Sequence, residues 1–228
     1  MKTTIYLAII FCFFGTRTPI LGQEVKINSN LKVESDGTLV FENAATVWDD
    51  LMVYPDATTK SGSYSPSWAR FGQNGSSQGV FLWMFSPTTE QELYFTVQIP
   101  HSYKLGTTIY PHVHWTTTTG TPSGTNVVWG LEYTIMKISG TFSTTTTIIT
   151  ANTVISTPTS TAQHLITSFG GIASGTTPNE IGISTVLICR LYRKAVDTND
   201  TFDNSVGLLG FDIHYERDTE GSRTEFAK

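Results

Sequence analysis

Alternation of apolar and polar residues constrains the fold of this chain more than any other feature. In the stretch Ile109–Trp115, Val113 and Trp115 alternate with His112 and His114. Successive side chains of a β-strand point to opposite faces, so the stretch predicts a strand with one apolar face and one imidazole face. We expect Val113 and Trp115 to face the core and the two histidines to face outward.

The same period recurs along the chain. Leu209–Glu216 places a bulky apolar residue at every second position, with Asp212 and His214 between them. Further strands are predicted near 79–85, 93–99, 129–135, 144–155 and 183–192, and no stretch has a convincing 3.6-residue apolar period. Many strands separated by turn signals predict an all-β protein, an antiparallel β-sandwich of jelly-roll type.

Composition limits the class of partner. The chain has 228 residues, of which 39% are hydrophobic and 14% charged. That size fits one β domain with an N-terminal extension. The formal net charge is -5 and no basic patch is present, so neither nucleic acid nor a membrane is an expected partner of the mature protein.

Residues 1–22 are typical of an export signal. Lys2 precedes the apolar run Ile5–Phe14, and Gly15–Gly22 offers a cleavage region. The alternative is a buried N-terminal strand. Removal of the signal leaves Cys189 as the only cysteine, so no intramolecular disulfide is expected. The predicted location is extracellular or on the cell surface, or in a virion if the protein is phage-encoded.

Residues 23–44 form a predicted unit of their own. Asp36-Gly37 separates two alternating segments, which is a hairpin signal. Because the segment has few large apolar residues, it is either an extended arm that pairs with a neighbouring chain or the first hairpin of the domain. The sandwich itself is predicted to span residues 45–228.

A short metal-binding resemblance lies in the histidine strand. Gly106–His114 is similar to the opening of the first cupin motif, with glycine, five residues and then His-Val-His. The glutamate of that motif is absent, because Thr116–Thr119 occupy its position. The resemblance implies a metal site of His112, His114 and His214, with the histidine face pointing into the barrel. Strand alternation instead directs His112 and His114 outward, where they could bind a metal across a subunit interface with His214 or Asp212. The alternative is a set of structural imidazoles, and no other cofactor is predicted.

Other polar groups are weaker candidates. The common hydrolase and phosphate-binding motifs are absent, so no catalytic residue is predicted. Asp49 and Asp50 would point to opposite faces of a strand, which favours a turn or cap over an acid–base pair. Glu90 and Glu92 form a second carboxylate pair. One acidic loop is read as a calcium site or as a solvated turn; it contains Asp197, Asn199, Asp200 and Asp203.

Three aromatic residues are candidates for stacking on a sugar. Trp68, Tyr64 and Tyr103 lie in polar surroundings and are expected to be exposed. They support a secreted carbohydrate-binding β-sandwich as an alternative function, with a glycan as partner.

The longest resemblance is to β-sandwich structural proteins of tailed phages. It rests on four stretches within residues 45–228, which are Val47–Val53, Pro100–Tyr103, Tyr110–Trp115 and Phe211–Arg223. The resemblance implies an oligomeric, non-enzymatic virion component such as a head fibre, decoration or tail-associated protein. The export-like segment departs from this pattern and keeps a bacterial surface or filament protein as a competitor.

Our leading prediction is therefore a non-enzymatic structural protein. It would self-assemble through the jelly-roll domain and the N-terminal arm, whose strand would add to the open sheet edge of a neighbour, into a virion appendage or extracellular fibre. The alternatives are the carbohydrate-binding module and a cupin-like metalloenzyme.

Overall fold

The computed structural model describes residues 23–118, 124–155, 162–176 and 180–228, so the predicted export signal lies outside the described residues. These residues contain fourteen strands and two single-turn 3-10 helices, and none of the helices could span a membrane. The strands are β1 Val25–Lys26, β2 Leu31–Val33, β3 Leu39–Phe41, β4 Val47–Val53, β5 Thr59–Lys60, β6 Ser67–Gly72, β7 Val80–Phe85, β8 Gln91–Gln98, β9 Tyr110–Thr117, β10 Thr125–Met136, β11 Thr147–Ile155, β12 His164–Ser168, β13 Val186–Arg193 and β14 Val206–Arg217.

The last eight strands form a jelly roll. One sheet has the order β11-β10-β13-β8-β5, and the other has the order β12-β9-β14-β7-β6 with β4 also paired to β14. The pairs are nested, since β7 pairs with β14, β8 with β13, β9 with β12 and β10 with β11, all antiparallel. The chain thus folds as one long double ribbon rolled into two sheets, which confirms the predicted all-β sandwich of jelly-roll type.

The core between the sheets is built around two tryptophans. Trp115 on β9 and Trp129 on β10 are fully buried, with ring centroids 6.4 Å apart, so they pack one sheet against the other. The indole of Trp115 donates to the Thr167 hydroxyl at 2.9 Å. That hydroxyl also bonds Thr153 of the opposite sheet at 2.6 Å. A buried indole N–H needs such a partner, and here it joins the two sheets at one edge.

The segment at 23–44 is a three-stranded antiparallel sheet, β1-β2-β3, rather than an extended arm. The predicted hairpin turn is present, with Gly37 at φ 87°, where glycine is favoured. The segment packs on the C-terminal part of the same chain, because the amide of Phe41 donates a hydrogen bond to the carbonyl of Asp218 at 2.7 Å. Local turn chemistry therefore pairs these strands with each other.

A buried ion pair fastens the loop before β14. The Arg193 guanidinium is fully buried and bonds both carboxylate oxygens of Asp200, at 2.7 and 3.0 Å. It also donates to the carbonyls of Phe202 and Asn204. Asp200 therefore faces inward and is engaged by the arginine, whereas Asn199 and Asp203 of the same loop are exposed, as predicted for a solvated turn. A buried charge requires a partner of this kind.

Loss of the buried carboxylate should be strongly destabilising. We expect Asp200→Ala to lower the free energy of unfolding by about 3–5 kcal/mol, because the guanidinium would remain buried without its partner. Urea denaturation measures this effect. The matched control is Asp203→Ala, an exposed aspartate of the same loop, with an expected change within about 0.5 kcal/mol. Equal effects of the two substitutions would contradict the role given to the ion pair.

Candidate functional site

Histidines and an aspartate share the outer face of the six-stranded sheet. His112 on β9 lies directly opposite Asp212 on β14, and His114 is two residues further along β9. The next outward residue of β14 is His214. Between them, Val113 is fully buried, as is the tryptophan that follows His114. The predicted orientation of the strand is therefore confirmed, and it is opposite to the arrangement that the cupin resemblance implies.

Asp212 is the centre of this cluster. Its side chain is only 5% exposed, and its Oδ2 lies 3.1 Å from Nε2 of His114 and 3.5 Å from Nε2 of His214. Its other oxygen, Oδ1, lies 3.7 Å from Nδ1 of His112, which is too long for a hydrogen bond. Oδ1 of Asp212 and Nδ1 of His112 are both buried and have no hydrogen-bond partner among the described residues.

The charge state of His112 follows from its surroundings. Burial lowers the pKa of this imidazole, and the positive charge of protonated His214 lowers it further, while Asp212 acts in the opposite direction. The rings of His112 and His214 lie 4.3 Å apart between centroids. His112 is therefore held as the neutral imidazole, which carries a nitrogen lone pair near neutral pH.

Two further residues complete the cluster, and sequence reasoning assigned neither to it. Nε2 of His164 on β12 lies 2.9 Å from Nδ1 of His114. Oδ1 of Asp50 on β4 lies 3.1 Å from Nε2 of His214. Asp49 and Asp50 belong to a strand, which corrects the predicted turn or cap. They do point to opposite faces, since Asp49 accepts from the hydroxyl of the buried Tyr215.

Exposed apolar side chains surround the cluster on the same face. Trp48 and Met52 flank Asp50 along β4, and Ile166 lies opposite His114 on β12. All three are about half exposed. Trp48 also makes an edge contact with the ring of Tyr110, at 5.5 Å between centroids. The polar cluster thus lies within an apolar border rather than in a solvated charged surface.

The aromatic candidates separate into exposed and buried residues. Trp68 on β6 is 49% exposed and packs on Trp83 of β7 at 4.8 Å between ring centroids. Nε1 of Trp83 is buried without a hydrogen-bond partner, and the ammonium of Lys60 lies 5.0 Å from the Trp83 ring. Tyr64 is exposed as predicted. Tyr103 is fully buried, which corrects its prediction as a surface residue, because its hydroxyl donates to the carbonyl of Thr107 inside the fold.

The glutamate pair has a structural partner. Glu90 accepts from the Arg190 guanidinium at 2.6 Å, and Glu92 forms a shorter contact with the same group. Glu132 binds the third nitrogen of Arg190 at 3.2 Å. Three carboxylates therefore surround one arginine on the outer face of the five-stranded sheet, which leaves an excess of negative charge there.

At one edge of the five-stranded sheet, the outer side of β11 pairs with no strand of the described residues. β11 is paired along its whole length with β10 on one side, and it is the terminal strand of the sheet. Residues 138–155 contain no Asp, Glu, Lys or Arg, and β11 itself has neither proline nor glycine. Its outward side chains Ile148 and Val154 are 56% and 52% exposed. Natural sheets usually protect such an edge with charges, prolines or bulges.

Comparisons with known proteins yield only likenesses to solved structures. No protein-family model matches the chain, and the search of curated proteins finds no match. Nine chains of solved structures match, and one of them is TmCBM61 in complex with beta-1,4-galactotriose. It is 11% identical, with 75% of this chain and 88% of that chain covered and a TM-score of 0.25. A likeness at this identity and TM-score carries no information about a ligand of the present chain.

Proposed function

We propose that this protein is a non-enzymatic structural protein that self-associates through β11. The outer edge of this nine-residue strand carries the proposal, because it is uncharged and no described strand pairs with it. Its outer backbone groups offer hydrogen bonds to another strand, and strand addition satisfies both backbones at once. The occupant is a second copy of the same chain, because the side chains of β11 complement themselves.

Antiparallel pairing of two β11 strands about Ala151 gives a matched register. Ile148 would lie opposite Val154 of the second copy, so two half-exposed apolar residues would cover each other. Thr150 would lie opposite Asn152 of the second copy, so polar residues would also be paired. Cross-strand pairs of like character stabilise a sheet, and a symmetric contact of this kind uses the same surface on both copies.

This contact replaces the arm as the means of association. Residues 25–41 are already paired within their own small sheet and joined to the C-terminal segment of the same chain. β11 needs no such rearrangement, since no other strand of the described residues pairs with its outer edge. Pairing through β11 closes a dimer in which the five-stranded sheets of the two copies are continuous. Such a charge-poor jelly-roll dimer fits a building unit of a virion appendage or an extracellular fibre.

Charges on β11 should prevent association. We expect the wild-type chain to elute as a dimer or larger assembly in size-exclusion chromatography with light scattering. The double variant Ile148→Lys and Val154→Lys should elute as a folded monomer, because its new ammonium groups would lie opposite each other across the contact.

The matched control for this experiment is Ile188→Lys. Ile188 is 49% exposed on the outer face of the same sheet, but it lies on the interior strand β13. The Ile188→Lys variant should therefore elute with the same molar mass as the wild-type assembly. Association through β11 would be refuted if the wild-type chain is a monomer, or if Ile188→Lys reduces the mass of the assembly as much as the double variant does.

A second candidate function is glycan binding at the edge formed by β6 and β7. Trp68 offers an exposed ring, and Phe81 is stacked beside it at 6.2 Å between centroids. The cations of Lys60 and Arg70 lie beside the rings of Trp83 and Phe81 and supply hydrogen-bond donors at this edge. An aromatic platform with a few polar donors suits the apolar face and hydroxyl groups of a sugar ring.

Glycan binding should depend on Trp68. If the wild-type chain binds any member of a glycan array, Trp68→Ala should abolish the signal, because the stacking surface is removed. Trp48→Ala is the control, since Trp48 is 57% exposed but lies on the outer face of the sheet at the histidine cluster. A wild-type chain that binds no glycan, or binding that survives Trp68→Ala, would remove this candidate.

A further inference from the structure

We propose that the outer-face cluster binds one divalent transition-metal ion through His112, Asp212 and His214. This site goes beyond the proposed self-association, which uses the opposite sheet. The sequence pointed to His112, His114 and His214 as ligands. The geometry instead assigns Asp212 as the third ligand and gives His114 a supporting role.

The unpaired atoms at the centre of the cluster are the main reason for this assignment. Oδ1 of Asp212 and Nδ1 of His112 are buried, have no hydrogen-bond partner and lie 3.7 Å apart. Buried polar atoms in folded proteins almost always have a partner. In the tautomer of His112 that carries its proton on Nε2, the carboxylate oxygen and the Nδ1 lone pair are both electron donors, so a cation between them satisfies both.

The spacing of the donor atoms suits a small ion. One ligand atom from each of His112, Asp212 and His214 can be chosen so that all three lie within 4.8 Å of one another. A tetrahedral zinc ion with bonds near 2.1 Å places its ligands about 3.4 Å apart. Small side-chain rotations would close the set around the ion.

The chemistry of the donors selects the class of metal. Two imidazoles and a carboxylate suit Zn²⁺ and its neighbours in the first transition row, whereas Ca²⁺ and Mg²⁺ prefer all-oxygen sites. The fourth ligand of the ion would be Asp50 or a water molecule. Oδ1 of Asp50 lies 3.1 Å from Nε2 of His214. Asp50 is half exposed, so this position is open to solvent.

His114 and His164 form the support behind the ligands. Nε2 of His114 lies 3.1 Å from Oδ2 of Asp212 and forms a hydrogen bond with it. This bond leaves the other carboxylate oxygen, Oδ1, directed at His112. Nδ1 of His114 lies 2.9 Å from Nε2 of His164, and this contact fixes the orientation of the ring. Metal sites in proteins commonly use such outer hydrogen bonds to orient their ligands.

Isothermal titration calorimetry tests the site. The probe is ZnCl₂, added to the full chain after it has been purified without a polyhistidine tag and dialysed against EDTA. We expect one equivalent of Zn²⁺ per chain, with binding lost in His112→Ala and in Asp212→Asn. His114→Gln should weaken the affinity by about 10–100-fold, because the ligands remain but their orientation is lost. A Co²⁺-loaded sample should show the visible absorption of a tetrahedral site.

The control is His101→Ala, which removes a histidine bonded to Ser184 and Ser222, outside the cluster. It should bind Zn²⁺ as the wild type does. The double variant on β11 should also bind normally, so failure of self-association and failure of the metal site are distinguishable. The proposal is overturned if the wild type binds no Zn²⁺, or if Asp212→Asn retains wild-type affinity.

Thermal unfolding separates a metal ligand from a structural residue. In EDTA, Asp212→Asn should unfold at or above the wild-type temperature, because the variant no longer buries an incompletely bonded carboxylate. Added ZnCl₂ should raise the unfolding temperature of the wild type and leave that of the variant unchanged. A large drop for Asp212→Asn in EDTA, with no response of the wild type to Zn²⁺, would show a purely structural histidine–aspartate network.

Discussion

Burial of the Trp115 indole fixes the register of β9, and the surface chemistry of the protein depends on that register. The ring packs against Trp129 of the opposite sheet, and its N–H bonds Thr167. Because side chains alternate along a strand, a shift by one residue would bring the imidazoles into the core and the indole into water. The large apolar area of the indole makes that exchange unfavourable. His112 and His114 are thus held outward by the core-facing residues between and beside them.

The nested pairing of the jelly roll gives the two sheets different surfaces. On one sheet, β14 lies between β9 and β4, which brings Asp50 and His214 together although they are far apart in the chain. The other sheet carries the Arg190–glutamate network on its outer face and ends in the uncharged strand β11. One fold therefore separates a polar cluster suited to an ion from a strand edge suited to another copy of the chain. The two proposals rest on different elements for this reason.

The sequence predicted the fold and part of the cluster, because both follow from local alternation. His112, His114 and His214 were placed on outward faces by period alone. His164 was missed because its position beside His114 depends on the pairing of β12 with β9, across fifty residues of sequence. Asp50 was assigned to a turn or cap because its carboxylate and that of Asp49 would point to opposite faces of a strand and could not act as a pair, whereas pairing of β4 with β14 places it in a strand. Tyr103 was misjudged because its polar neighbours gave no sign that its hydroxyl bonds a carbonyl inside the fold.

Anomalous diffraction at the zinc edge, from crystals grown with ZnCl₂, is the most direct test of the link between the buried tryptophan and the outward-facing ligands. We expect one peak per chain on the outer face of the six-stranded sheet, bonded to His112, Asp212 and His214, with Trp115 in the core behind it. Zinc held only by other residues, or imidazoles of β9 inside the sandwich, would contradict this description of the molecule.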